Sequence, residues 1–391
     1  MRTADTLPSF LNVTIERLLP GGVGLAHADG LTLFVSLAAP GDEVRVRIDR
    51  VQGKVAFASI HEIIKSSPVR VEPPCPYFGR CGGCDFQQLT YESQLQAKVD
   101  IIKDCLQRIA KVLEPVDIKI YPSPEWQYRA RALWQTDADR KWLGYYVRSS
   151  REVCDVEYCA VLVPELQQTL ESLRTTIETA TSVIDIAAVA GDEGVSVDPP
   201  MARFEPRKIS RTIAGERYHF SAQSFFQINH QLLPALIQEA IGSAKGKVAI
   251  DLYCGVGLFT LPLARRFTEV IGVEANERAT RFARVNLELA QLNNAQVFTA
   301  DVGNWLRGPE VGSNPDLLLL DPPRTGAENK VISGILALKP ARIVYVSCDP
   351  ATLARDLKKL LAGGYSLDTV TAFDMFPQTH HVETVVRLLA A

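Results

Sequence analysis

The chain has 391 residues, a formal net charge of −3, and 47% hydrophobic against 22% charged residues. That length admits two or three domains rather than one core, and the balance is that of an ordinary soluble protein with no global nucleic-acid signature. No apolar run approaches the roughly 18 residues a membrane helix needs, so no membrane partner is expected. Met1-Arg2-Thr3-Ala4-Asp5 lacks the basic-then-apolar plan of a secretory signal, so the expected location is cytoplasmic. In that reducing compartment the eight cysteines read as metal ligands or catalytic groups rather than disulfides.

Residues 1–66 read as short strands. Apolar–polar alternation runs through Leu11-Asn12-Val13-Thr14-Ile15, Leu31-Thr32-Leu33-Phe34-Val35 and Val44-Arg45-Val46-Arg47-Ile48, with turns at Pro20-Gly21-Gly22, Asp29-Gly30 and Pro40-Gly41-Asp42. The spacing suggests a small closed barrel, a common oligonucleotide platform. A linker begins at Ser66-Ser67-Pro68 and runs into Pro73-Pro74-Cys75-Pro76. There the pattern Cys75-x5-Cys81-x2-Cys84, with Gly79, Gly82 and Gly83 between, suits zinc or an iron–sulfur cluster, and spacing alone favours zinc. A helix is expected over residues 91–113, followed by a mixed segment to about residue 210. Within it, Arg129, Arg131, Arg140, Lys141, Arg148 and Arg151 interleave with Trp134, Trp142, Tyr145 and Tyr146. That is the composition of a phosphate-tracking, base-stacking surface, or of a solvated sheet face with core aromatics.

From Lys247 onward, buried strands alternate with helices, the mark of a doubly wound parallel sheet. The strand Val248-Ala249-Ile250 ends in Asp251-Leu252-Tyr253-Cys254-Gly255-Val256-Gly257, a glycine turn that lets a ligand approach the backbone. Later strands end at Glu274, Asp301 and Asp321. Ligands of open α/β sheets bind outside the carboxyl ends of strands, so these acids converge on one crevice. Any one of them is readily a helix cap. Four in register resemble a class I methyltransferase and not a dehydrogenase.

Asp321-Pro322-Pro323-Arg324 follows the run Leu317–Leu320. Enzymes that methylate exocyclic base amines end a similar turn in an aromatic residue, whereas Arg324 stands here. The next strand, Ile343-Val344-Tyr345-Val346-Ser347, delivers Cys348 and then Asp349-Pro350. A cysteine at that place faces the cofactor crevice and suits nucleophilic addition, although a buried structural thiol is the commoner fate. Attack on a pyrimidine needs a base as well. The candidate is Glu383, which opens the final apolar strand, with His380 and His381 as competitors.

These motifs, together with Ser224-Phe225-Phe226-Gln227-Ile228-Asn229, resemble the RNA (uracil-5-)-methyltransferase family, and in particular its bacterial 23S ribosomal RNA members. The likeness extends over nearly the whole chain. It implies an α/β class I methyltransferase sheet at 213–391, a central α+β iron–sulfur domain at 67–212 and a TRAM-like, OB-like β-barrel at 1–66. It implies S-adenosylmethionine as cofactor, with contacts from Gln227, Tyr253, Gly255, Gly257, Glu274, Asp301 and Asp321. It carries the nucleophile onto Cys348 and the base onto Glu383, and a [4Fe-4S] cluster onto Cys75, Cys81, Cys84 and Cys159, with Cys154 as a rival to the last. Cys105 and Cys254 are left as buried thiols. Leu258 and Ala130 depart from the polar residues usual in the family. The implied reaction is C5 methylation of a uridine in structured RNA, ribosomal more than transfer RNA, by a monomer. Rival readings are an inactive RNA-binding or folding factor, a redox sensor, and cytosine C5 methylation, which usually brings a second cysteine beside a proline.

Overall fold

The computed structural model describes residues 9–137, 139–177, 185–201, 204–308 and 314–391; the reading of residues 1–5 lies outside the described residues. The first unit is a six-stranded sheet formed by Phe10–Thr14, Arg17–Leu18, Gly24–Ala28, Leu31–Ser36, Glu43–Gln52 and Val55–Lys65. Leu31, Leu33 and Val35 alternate inward, as a half-buried strand requires. Phe10–Thr14 also lies against Gly24–Ala28, so the sheet curls round a core of Val13, Leu33, Val44 and Val46. The expected barrel is present. The linker after it is not loose: Arg70 donates to the buried Asp42 carboxylate at 2.7 and 3.0 Å, and the Ser67 N–H donates to it at 3.0 Å.

A second sheet runs Val153–Asp155, Trp142–Tyr146, Arg131–Asp137, Asp185–Gly191, Gly194–Asp198, antiparallel throughout. The helix Pro164–Ile177 covers it through Leu166, Leu170 and Leu173, which pack on Trp134, Leu143 and Ile186. Much of the basic–aromatic stretch therefore faces inward, contrary to a continuous RNA surface. Trp134 is core and donates its indole N–H to the Tyr145 hydroxyl (3.1 Å), Arg131 donates to the Ser224 carbonyl (2.8 Å), and Arg148 donates to the Cys84 carbonyl (2.5 Å). Arg140, Lys141, Tyr146 and Arg151 remain at the surface.

The third sheet has eight strands in the order Ala295–Thr299, Phe267–Glu274, Gly246–Leu252, Leu317–Leu320, Arg342–Ser347, Glu383–Ala390, Tyr365–Phe373, Ile118–Tyr121. Its first five strands are parallel. The run Leu317–Leu320 is wholly buried because its side chains alternate between two apolar layers, one on each face. The doubly wound sheet is as expected, but it is mixed rather than all parallel. Tyr365–Phe373 returns through a loop, and Glu383–Ala390 inserts antiparallel between it and Arg342–Ser347.

The boundary at 212/213 does not follow the packing. Ile118–Tyr121 is the eighth strand of the C-terminal sheet, and the helix Tyr91–Cys105 buries Val99, Ile102 and Cys105 in the same layer as Ile343, Leu353 and Leu357. Sequence periodicity carried that helix to residue 113. Instead it passes into a π-helical turn, Leu106–Ala110, which Lys111 ends in the left-handed region at φ 64°. Among the described residues no helix is long and apolar enough to cross a membrane.

Candidate active site and cysteine cavity

The loop after Gly246–Leu252 turns sharply, with Tyr253, Gly255 and Gly257 all at positive φ (62°, 54° and 93°). A Cβ on Gly255 would meet nothing within 4 Å, so that position leaves open space for a ligand, whereas one on Gly257 would stand 2.9 Å from Leu261. Glu274, at the end of the neighbouring strand, accepts the Gly255 N–H at 3.2 Å and the Asn276 N–H at 2.7 Å. Asp251 lies fully buried beneath the loop, accepting the Thr260 hydroxyl at 2.5 Å. Burial, offset in part by that hydroxyl and reinforced by Asp321 and Glu274, pushes it up to about 7. Asp321, reached by the Gln227 amide at 3.4 Å, is likewise pushed up to about 7 by burial and by Glu274. Tyr253 stands close enough to Asp301 and Glu274 for their charges to raise its phenol, burial being the larger cause.

The crevice therefore gathers Gln227, Tyr253, Gly255, Glu274 and Asp321. Asp301 lies at its rim and does what a strand-end acid commonly does: it caps the helix Val302–Trp305 through the Asn304 N–H (2.9 Å) and pairs with Lys330 (2.9 Å). Leu258 is packed into the apolar core and Ala130 is buried, so neither offers a polar side chain to a ligand.

Cys348 follows Ser347 at the carboxyl end of Arg342–Ser347, and the helix Pro350–Ala362 starts just beyond, capped by Asp349 on the Thr352 N–H (2.8 Å). In the antiparallel register Ser347 pairs with Thr384, which sets Cys348 and Glu383 beside each other at the same sheet edge. Burial pushes the Cys348 thiol up to about 12, and the Glu383 and Asp321 carboxyls add to the shift while Arg324 opposes it. Glu383, 2% exposed, is raised well above the usual carboxylate range by burial and by Asp321, again opposed by Arg324. Its Oε1 is buried without a hydrogen-bond partner. A thiol, a carboxyl of raised proton affinity and a cation thus meet at the end of the acid-lined crevice. His380 and His381 sit apart from this pair in role: the His380 Nδ1 is engaged by Asp85 at 2.6 Å, and burial drives His381 down to about 3, leaving it neutral against Phe376.

A second cavity is lined by Cys75, Cys81, Cys84 and Cys159 together with Gln87, Arg129 and Tyr145. The three N-terminal cysteines lie on a loop stitched to the central sheet: the Gly82 N–H donates to the Tyr146 carbonyl (2.9 Å) and the Arg148 N–H to the Arg80 carbonyl (2.8 Å). Cys154 is buried in its strand and does not line the cavity. Among the described residues no three His, Cys, Asp or Glu side chains are grouped as a metal-ion site. The four cysteines nevertheless line one space, and the Arg129 guanidinium, with its Nε buried and unpartnered, supplies a cation beside them, a set of donors that would fit a thiolate-ligated group.

Residues 149–303 and 312–391 match the tRNA (Uracil-5-)-methyltransferase family, and residues 11–69 match the TRAM domain of tRNA (uracil(54)-C(5))-methyltransferase. An RNA methyltransferase of Aquifex aeolicus is 31% identical, covering 97% of this chain and 98% of its own. The 23S rRNA (uracil(1939)-C(5))-methyltransferase RlmD of Pseudomonas putida is 34% identical, covering 95% and 92%. The crystal structure of Pyrococcus abyssi tRNA (uracil-54, C5)-methyltransferase in complex with S-adenosyl-L-homocysteine superposes with a TM-score of 0.76 at 27% identity, covering 97% of this chain and all of that one. The chain belongs to the tRNA (uracil-5-)-methyltransferase family.

Within this uracil-5-methyltransferase family frame, sequence motifs located the nucleophile candidate, the glycine turn and the strand-end acids. They did not reveal two inward-facing groups: Arg129, whose stretch read as either an RNA surface or a solvated sheet face and which borders the cysteine cavity, and Lys98, whose fully buried ammonium pairs with Asp374. Arg129 carried no distinguishing signal in its local sequence. Lys98 carried a faint one, standing between Ala97 and Val99 on the apolar face of a helix.

Proposed function

We propose that this protein transfers the methyl group of S-adenosylmethionine to C5 of a uridine in 23S ribosomal RNA, through a covalent adduct on Cys348. The observation that carries this reading is the antiparallel register that sets Cys348 beside Glu383 at the mouth of the acid-lined crevice. Uracil C5 is too weak a nucleophile to attack unaided. Addition of Cys348 as its thiolate, the thiol proton having passed to solvent, to C6 moves the 5,6 electron pair into an enolate and makes C5 nucleophilic. Gln227, Tyr253, Gly255, Gly257, Glu274, Asp301 and Asp321 would hold the cofactor, whose sulfonium would supply an electrophilic methyl carbon and depart as a neutral thioether. Once C5 carries the methyl group, Glu383 in its carboxylate form takes the C5 proton, the 5,6 double bond re-forms and the Cys348 thiolate leaves. A carboxylate with raised proton affinity is the stronger base for this last step. Reaching C5 and C6 requires the uridine to be flipped from its stack.

The ribosomal assignment rests on the Pseudomonas putida relative; the barrel, which matches the TRAM domain of a tRNA enzyme, supports an RNA substrate of either class. It is tested by incubating the protein with cofactor and unmodified 23S ribosomal RNA or transfer RNA transcripts, then measuring 5-methyluridine by nucleoside mass spectrometry. Methylation of the ribosomal RNA is expected. Methylation of transfer RNA alone would overturn the assignment, and none in either would overturn the activity.

The second part of the proposal is a structural [4Fe-4S] cluster on Cys75, Cys81, Cys84 and Cys159. Four thiols facing one cavity beside a buried guanidinium support it. Anaerobically purified protein should contain about four irons with matching acid-labile sulfide, and Cys84→Ser should lose both and melt at lower temperature. Stoichiometric zinc without sulfide would contradict the cluster.

A further inference from the structure

Glu383 has no partner at Oε1, so the aim of its carboxyl depends on the backbone that delivers it. That backbone is the loop 374–382, between Tyr365–Phe373 and Glu383–Ala390. Its fixings come from distant parts of the chain. The Asp85 and Phe86 N–H groups both donate to the Gln378 carbonyl at 3.0 Å. The Asp85 carboxylate takes the His380 backbone N–H at 2.7 Å and meets the His380 Nδ1 at 2.6 Å. Gln94 and Gln378 exchange two hydrogen bonds of 2.9 Å, Lys98 pairs with Asp374 and donates to the Phe376 carbonyl (3.1 Å), and the Tyr128 hydroxyl donates to the Pro377 carbonyl (2.8 Å). The barrel touches the same point: a Cβ on Gly22 would stand 3.0 Å from the His380 Cβ and 3.2 Å from the Phe86 ring.

We propose that the Asp85–His380 clasp is a positioning device for Glu383, through which the cysteine-bearing segment sets the aim of the base. This rests on the reading of Glu383 as the base. Asp85 is the residue after Cys84, so the segment that lines the cysteine cavity and the loop that delivers the base are held by one side chain. Of the fixings, the clasp lies nearest Glu383 in sequence and grips both backbone and side chain of one residue. Loosening it displaces the base while leaving Cys348, on a different strand, in place. The addition and methyl-transfer steps should therefore proceed, and release of the adduct should slow.

The test follows the covalent RNA adduct on denaturing gels in single-turnover reactions with Asp85→Ala, His380→Ala, Asp85→Asn and Glu383→Gln. Asp85→Ala should release adduct about tenfold to a hundredfold more slowly, the scale of a small misplacement of a reacting group, with cofactor affinity unchanged. His380→Ala, which leaves the cysteine segment intact, should do the same. Asp85→Asn keeps an acceptor for the His380 N–H and should recover release to within about threefold of the native rate. Release at the native rate in both alanine variants, or lost turnover without accumulated adduct, would overturn the clasp. If Glu383→Gln also fails to accumulate adduct, the base assignment falls and the clasp with it. Accumulation in Glu383→Gln alone sinks only the clasp.

Discussion

Replacing Cys348 by Ala should abolish methyl transfer, lowering turnover on the order of a millionfold, as removal of a covalent nucleophile does. No other group at the site can take over. Cys254 lies buried beneath the cofactor loop, and its thiol is raised well above the ordinary value by burial and by Asp251 and Glu274. Cys105 is enclosed in the layer on one face of the sheet. The substitution removes one sulfur from a partly buried position, so the loss should occur with cofactor affinity and melting temperature close to native. Labelled-methyl incorporation into RNA, measured with cofactor binding by calorimetry, checks both halves. A Cys348→Ala protein that still forms 5-methyluridine would refute the covalent route.

Glu383→Gln should have the opposite appearance: a protein that starts the reaction and cannot finish it. Addition and methyl transfer need Cys348 and the cofactor, whereas elimination needs a proton removed from C5. Loss of a positioned general base slows such a step by about 10²–10⁴-fold, so a methylated covalent adduct should build up. The fold should tolerate the change. Glu383 is almost wholly buried, and the amide is its close isostere, so the substitution keeps the packing and buries no added charge. A stable protein that makes no adduct would place the base elsewhere.

The parts of this site that were legible in the sequence share one physical origin. In a parallel sheet each strand delivers its carboxyl end to the same edge, so strand order along the chain suffices to gather Tyr253, Glu274, Asp321 and Cys348 without knowledge of lateral order. Glu383 obeys a different rule. It starts a strand, and it reaches that edge only because Glu383–Ala390 runs antiparallel between Arg342–Ser347 and Tyr365–Phe373. Apolar periodicity carries no sign of strand direction, so the sequence offered Glu383 only as the residue that opens the last apolar strand, and the family likeness gave it the role of base. The strand Ile118–Tyr121 was hidden for a related reason: it is short and separated from its partner Tyr365–Phe373 by most of the chain. The basic–aromatic stretch stayed open between an RNA surface and a sheet face because composition does not report side-chain direction; Arg129 borders the cysteine cavity, Arg131 donates to the Ser224 carbonyl and Trp134 is core, with Ala130 and Ala132 between them buried as well.

The adjacency of Cys348 and Glu383 is tested most directly by one measurement. Glu383→Gln protein is incubated with RNA and cofactor, denatured, digested with protease and nuclease, and the cross-linked peptide is sequenced by mass spectrometry. The prediction is a methylated uridine nucleotide joined to the peptide at Cys348. A nucleotide joined to another residue, or an adduct lacking the methyl group, would contradict the proposed order of addition, transfer and release.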